Sequence, residues 1–240
     1  MRRAAFLAAA LAMWPAGRAD ANGRFPQTTN VRFKPGDVDF IIVPSSFGLL
    51  ISNDGGQNFR WVCEDAIGYS GVYDPDYAFS EDGALYATTF EGLRVSNDDG
   101  CSWENVGAPL TDDKFTNQVE VGPDGRVWAT TSTGGQPNDV YVAAGDGEPF
   151  VATGDLLTED NGWWLSVATT PADDQRIYVS GYLPQGSETP PEGRLRRSID
   201  GGDTWENLDA TLALETGDIE WGEADPLFYL LGVSPTDEDV

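Results

Sequence analysis

Three stretches of this chain read Ser-x-Asp-x-Gly-x-x-aromatic: Ser52 to Phe59, Ser96 to Trp103 and Ser198 to Trp205. The pattern suits a tight hairpin. The Ser and Asp side chains can hydrogen-bond backbone amides within the turn, Gly supplies positive φ, and the aromatic packs back beneath. Asp54 and Asp98 stand 44 residues apart, and Asp98 and Asp200 stand 102 apart. The second interval is about twice the first, so a degenerate copy is expected inside it. Ala143 to Phe150 supplies one, keeping Gly147 and the aromatic but placing Gly145 where the Asp belongs. The steps are then 44, 47 and 55 residues, and a unit recurring every ~20 to 50 residues marks a solenoid, propeller or array. Each step has room for four strands.

The intervening sequence fits that reading. Runs rich in Val, Ile, Tyr, Phe and Thr are bounded by Asp-Gly, Gly-Pro and Pro-rich stretches, and no sustained helical period follows residue 21. The expected strands are 30–33, 39–43, 49–52 and 59–63 in unit one; 76–79, 85–88, 92–96 and 103–106 in unit two; 118–121, 127–130, 139–143 and 149–153 in unit three; and 164–169, 176–181, 194–198 and 205–208 in unit four. A fifth unit is expected to begin at 228–233. The stretch from Ser234 repeats the Thr170-Pro171-Ala172-Asp173 turn of unit four, so the chain reads as a propeller with about four blades and the start of another, either a fragment of a longer protein or a small four-bladed ring whose N-terminal segment and last strand share a blade. Short turns and the Ser-Asp-Gly corners fall on one face. The longer connections, 64–73, 107–117, 131–138, 154–163 and 181–193, fall on the other, which is where function on a rigid scaffold is expected.

Composition narrows the chemistry. Residues 1–21 carry Arg2 and Arg3, the apolar run from Ala4 to Trp14, and the small-x-small site Ala19-Asp20-Ala21, which reads as a secretory signal cleaved after Ala21. The apolar run is short for a span of roughly 20 residues, so a secreted or periplasmic product with no membrane insertion is expected. The whole chain carries net charge -26, and loss of Arg2, Arg3, Arg18 and Asp20 makes it -28. Nucleic acid is thereby excluded as a partner: Arg194, Arg196 and Arg197 do not make a phosphate-tracking groove. There is no histidine, which removes Ser-His and Cys-His nucleophilic systems and His-ligated metals. Cys63 and Cys101, an even pair in an exported chain, suggest a disulfide tying neighbouring units.

The octapeptides resemble Asp-box repeats, also called BNR repeats, and the resemblance covers residues 29 to 210. Families carrying the motif include bacterial sialidases, some glucan hydrolases, sortilin-type receptors and photosystem assembly factors of the Ycf48 type. The resemblance implies an all-β, Asp-box β-propeller with four antiparallel strands per blade over residues 22–240. It also implies that Ser52, Asp54, Gly56 and Phe59, Ser96, Asp98, Gly100 and Trp103, and Ser198, Asp200, Gly202 and Trp205 form structural turns away from any active site. A sialidase would need an arginine triad, a Tyr nucleophile, a Glu base and an Asp acid. Its Arg-Ile-Pro signature is only echoed by Gly23-Arg24-Phe25-Pro26, and the catalytic Tyr of that family falls beyond Val240.

A neutral-glycan hydrolase would require two carboxylates across a cleft at roughly 5 to 10 Å, with Glu64, Asp65, Asp112, Asp113, Glu159 and Asp160 as long-loop candidates. Tyr69, Trp163, Trp164 and Tyr182 are candidates to stack on sugar rings or anchor a protein partner. No cofactor is implied, although Asp74-Pro75-Asp76 and Asp237-Glu238-Asp239 offer hard oxygens to a structural calcium ion. The expectation is an exported, non-catalytic binding or assembly module for a protein or glycan partner. A glycosidase completed beyond the chain end is the alternative.

Overall fold

The computed structural model describes residues 25–110, 113–154, 157, 161–184, 191–211 and 229–236. Among these described residues sixteen strands form four separate antiparallel sheets, each meandering in chain order. The first blade holds β1 (Arg32–Lys34), β2 (Asp37–Ser45), β3 (Gly48–Ser52) and β4 (Arg60–Val62), followed by one helical turn, α1 (Glu64–Ile67). The second holds β5 (Tyr77–Phe79), β6 (Leu85–Thr89), β7 (Gly92–Ser96) and β8 (Glu104–Asn105). The third holds β9 (Thr116–Val121), β10 (Val127–Thr131), β11 (Val140–Ala143) and β12 (Val151–Ala152). The fourth holds β13 (Trp163–Thr169), β14 (Ile177–Leu183), β15 (Glu192–Ser198) and β16 (Glu206–Asn207). Every expected strand of units one to four overlaps one of these.

Strand alternation gives each sheet two faces, and the registers show how both are used. Ile42, Leu49, Ile51 and Val62 of the first blade pack against Tyr77, Phe79, Leu85 and Ala87 of the second. The opposite face of the second, with Ala78 and Tyr86, packs against Val119, Val127 and Ala129 of the third. Trp128, Val140 and Val142 of the third meet Val167, Ile177 and Val179 of the fourth. Three cores thus lie between blades, and each blade depends on its neighbours to bury apolar surface.

The corners hold the third and fourth strands of each blade. Ser52 Oγ accepts the Gly56 amide at 2.9 Å and donates to Asp54 Oδ1 at 2.8 Å; Asp54 in turn accepts the Asn58 amide at 2.9 Å and its side-chain Nδ2 at 2.7 Å. Ser96, Asp98, Gly100 and Ser102 repeat the arrangement, as do Ser198, Asp200, Gly202 and Thr204. Gly56, Gly100 and Gly202 sit at φ of 84°, 78° and 97°, the left-handed region glycine favours. The third corner lacks both Ser and Asp and is pinned from outside. Asp146, one position late, accepts hydrogen bonds from Tyr86 Oη at 2.9 Å and from Ser80 Oγ, both in the second blade.

Two expectations need correction. Cys63 and Cys101 are free, exposed thiols, not a disulfide. Arg60, at the start of β4, donates to the carbonyls of Asp99 and Gly100, so the second corner sits against that end of the strand. Cys63 lies three residues further on, at the N-cap of α1 and at the other end of the strand from that contact. The expected strand at 228–233 is also not formed: residues 229–236 make no ladder. They run beside β13, where the Leu230 amide donates to Ser166 Oγ at 2.8 Å and Thr170 Oγ1 donates to the Ser234 carbonyl at 2.6 Å. The expected signal, residues 1–21, lies outside the described residues.

Candidate binding face

Because each sheet meanders, the corners and the turns between first and second strands share one face. The connections between blades and the turns between second and third strands share the other. On this second face α1 opens the link from β4 to β5, capped by Gly68 at φ 103°, whose amide donates to the Glu64 carbonyl at 3.0 Å. The link returns through Tyr69 and Tyr73, whose rings meet edge to face at 6.0 Å. Tyr73 Oη donates to the Thr116 carbonyl at 2.7 Å and bonds Thr88 Oγ1 at 2.9 Å, which fixes the link against β6 and β9. Burial pushes its phenol well above the ordinary tyrosine range.

Tyr73 supports an aromatic outcrop. Phe90, in the turn from β6 to β7, stacks on Phe115 just before β9, with centroids 4.9 Å apart and planes 18° from parallel. Tyr73 lies 4.4 Å from Phe90 and 5.6 Å from Phe115. Phe90 remains 46% exposed and lines a hollow of about 270 Å³ with Asp65, Gly68, Tyr69, Ser70 and Glu91. A mixed lining, with the Phe90 ring on one side and the exposed carboxylates of Asp65 and Glu91 on the other, can stack on a flat ring and accept hydrogen bonds from its polar groups.

Of the four aromatics the sequence nominates for this face, two belong to the interior. Trp164 is fully buried in the core between the third and fourth blades, and Tyr69 is 5% exposed in the first interblade core. Trp163 and Tyr182 are partly exposed cross-strand partners of β13 and β14, their rings 5.7 Å apart. The bulge between Trp164 and Ser166 interrupts the alternation there, and adjacent Trp residues in sequence do not disclose which one turns inward. Phe90 and Phe115 were not singled out from sequence. Their signal was local: both sit within links between strands, where an apolar ring has no sheet face to bury it.

Acidic residues divide in a similar way. Asp113 is exposed, whereas Asp112, Glu159 and Asp160, and likewise Asp237 to Asp239, lie outside the described residues. Asp76 is engaged rather than open to an ion: it accepts Arg32 Nη2 at 2.8 Å and the Val119 amide at 3.3 Å. Among the described residues no three His, Cys, Asp or Glu side chains gather in a metal-binding group. The first strands lie side by side, and through them runs a polar chain of Arg32 on β1, Asp76 before β5, Glu120 on β9 and Thr169 on β13. Thr169 Oγ1 stands 3.5 Å from Glu120 Oε1. Burial raises the Asp76 carboxyl and pushes that of Glu120 up to about 7; Arg32 opposes the rise in both, and the Asp76 charge adds to that of Glu120.

No protein-family model matches the chain, and no curated protein sequence matches it. Solved structures do. A GH74 xyloglucanase from Xanthomonas campestris is 19% identical at a TM-score of 0.62, the match covering 88% of this chain and 34% of that one. A GH74 enzyme from Niastella koreensis is 14% identical at 0.60, covering 75% and 29%. An extracellular domain assigned to a one-component system of B. thetaiotaomicron is 14% identical at 0.52, covering 78% and 23%. This chain therefore spans about a third or less of the length of each. Identities this low carry the fold and no activity. Four meandering four-stranded sheets, stacked face to face through three cores and matched by these neighbours, make the chain a β-propeller.

Proposed function

We propose that this chain is an exported, non-catalytic binding or assembly module that takes a protein or glycan partner on the face carrying the interblade connections. The supporting observation is the half-exposed Phe90, stacked on Phe115 above a hollow rimmed by Asp65 and Glu91. A large ring held rigid before binding loses little entropy when a partner covers it, which is the economy of an aromatic anchor. Export rests on the signal-like residues 1–21 and is in keeping with the extracellular neighbour. The test is titration calorimetry against a panel of soluble glycans and candidate envelope proteins, repeated with Phe90→Ala. A ligand whose affinity falls about tenfold or more in the variant, a loss of ~1.4 kcal/mol, supports the reading. Equal affinity in both removes it.

The second reading, a glycoside hydrolase, has one residue in its favour. Glu120, a carboxyl poised near neutrality beside Asp76, has the protonation behaviour that a general acid needs. Release of fluorophore from a sialoside or glucan panel, abolished by Glu120→Gln, would replace the binding reading with this one.

A further inference from the structure

The Phe90-Glu91 turn of the second blade has a control within the chain. Its first-blade counterpart, Ser46-Phe47, closes the same two-residue hairpin: Ser45 pairs with Gly48 as Thr89 pairs with Gly92. Even the local bond is shared, Ser45 Oγ donating to the Gly48 carbonyl at 2.8 Å and Thr89 Oγ1 to that of Gly92 at 2.7 Å. Yet the first-blade turn places a buried serine where Phe90 stands and no carboxylate where Glu91 stands. The hairpin therefore demands neither the ring nor the charge. The polar groups around the adjoining hollow also differ in kind. Asp65 and Glu91 are exposed and, when ionised, accept hydrogen bonds only. Arg94 lies beneath, its guanidinium packed against Gly68 and 3.6 Å from Glu91, with its side chain 17% exposed. Lys114, next to Phe115, is engaged elsewhere and donates to the Pro137 carbonyl at 2.9 Å.

Resting on the Phe90 face as the binding face, we propose that this hollow takes the basic side chain of a protein partner, an arginine or lysine of a cationic segment, its aliphatic stem along Phe90 and its head on Asp65 and Glu91. Three properties select that occupant over a neutral or an anionic one. Guanidinium and ammonium groups are donors without acceptors, the complement of a rim whose exposed carboxylates only accept; a sugar hydroxyl brings both functions, and a phosphate or carboxylate brings none of the donors required. An aromatic ring attracts a cation through its quadrupole, and the stem of a long basic side chain covers apolar surface while its head stays at the rim. Finally, the net charge of -26 concentrates a basic segment near the surface and speeds its encounter, whereas it repels an acidic one. The hollow lies between α1 with its following link and the turn from β6 to β7, so both of its walls belong to neighbouring blades of this chain.

Fluorescence polarisation on the full chain tests this with labelled probes: a short peptide of alternating arginine and glycine, the same peptide with neutral citrulline in place of arginine, and a neutral cello-oligosaccharide. The arginine peptide should bind, the other two about tenfold more weakly or not at all. Phe90→Ala, and separately Asp65→Asn with Glu91→Gln, should each weaken the arginine peptide by about tenfold. Glu81→Gln with Asp82→Asn removes the same charge from the exposed turn between β5 and β6, on the opposite face, and should weaken it by less than about twofold. All five residues are exposed, so the melting transitions should stay in place. Equal losses from the two double substitutions would mean that the overall field and not the hollow attracts the peptide, and would overturn the proposal, as would failure of the arginine peptide to bind. A citrulline peptide or oligosaccharide that binds as tightly as the arginine peptide, and is weakened by Phe90→Ala, would overturn the cationic partner while leaving Phe90 as a binding anchor. Binding of the arginine peptide that is indifferent to Phe90→Ala would remove both.

Discussion

At the scale of single residues, the corner Asp and the axial Glu120 are opposite cases of one principle. Asp98 accepts the Ser102 amide and hydroxyl and the Ser96 hydroxyl, and these donors hold its carboxyl at about 2, below its ordinary 3.8. Its contribution is complete above pH 3.8 and is lost as the pH falls toward 2. Glu120 is raised from 4.5 to about 7. Between those values the folded state holds a proton that the unfolded state has released, so stability falls as the pH rises through that window and levels off above it. Thermal melts of the chain and of Glu120→Gln from pH 4 to 8 should therefore diverge, the variant losing less on the way up; parallel curves would refute the assignment. The corner Ser is as constrained as the Asp. Ser96 is 1% exposed and accepts the Gly100 amide at 2.8 Å, so Ser96→Ala strands a buried donor and should cost about 1–3 kcal/mol in denaturant unfolding.

At the scale of the element, legibility followed the strength of local chemistry. The corner announces itself because its side chains bond their own backbone, and the sixteen strands because alternation and turn residues coincide. The fourth member of the corner, Asn58, Ser102 or Thr204, was hidden as a variable position, although all three are hydrogen-bond donors that reach back to the Asp. The role of Asp146 was unreadable, since its partners Ser80 and Tyr86 are 60 or more residues away. Cys63 and Cys101 misled for the same reason: which end of a short strand a residue occupies is a three-dimensional fact. The third corner offers a test of self-containment. Gly145 has negative φ and open space where a side chain would stand, and Ala143 occupies the corner-serine position. Ala143→Ser with Gly145→Asp should thus install the missing cage and raise the unfolding free energy by about 1 kcal/mol, one net hydrogen bond's worth. A fall in stability would mean that the outside contact through Asp146 has displaced the local design.

For the whole molecule, the governing tension is between three apolar cores and a large excess of one charge. The chain has 40 acidic and 14 basic residues, and many of the basic ones are committed to ion pairs, some within a blade and some between blades: Arg32 with Asp76, Lys34 with Asp99, Arg126 with Asp124, Arg176 with Asp173, Arg196 with Asp209 and Arg197 with Glu206. Most of these pairs are at least partly exposed, where each contributes at most about 1 kcal/mol. The remaining carboxylates repel one another across distances comparable to the ~30 Å Debye length at 0.01 M salt, but not to the ~8 Å length at 0.15 M. Salt should accordingly weaken the short-range pairs a little and relieve the long-range repulsion much more. The melting temperature is expected to climb steeply between about 0.01 and 0.15 M sodium chloride and then flatten as the screening length drops below the spacing of surface charges. A melting temperature that falls over the same range would show that the ion pairs between blades, above all Arg32–Asp76 and Lys34–Asp99, outweigh the excess charge in holding the stack together.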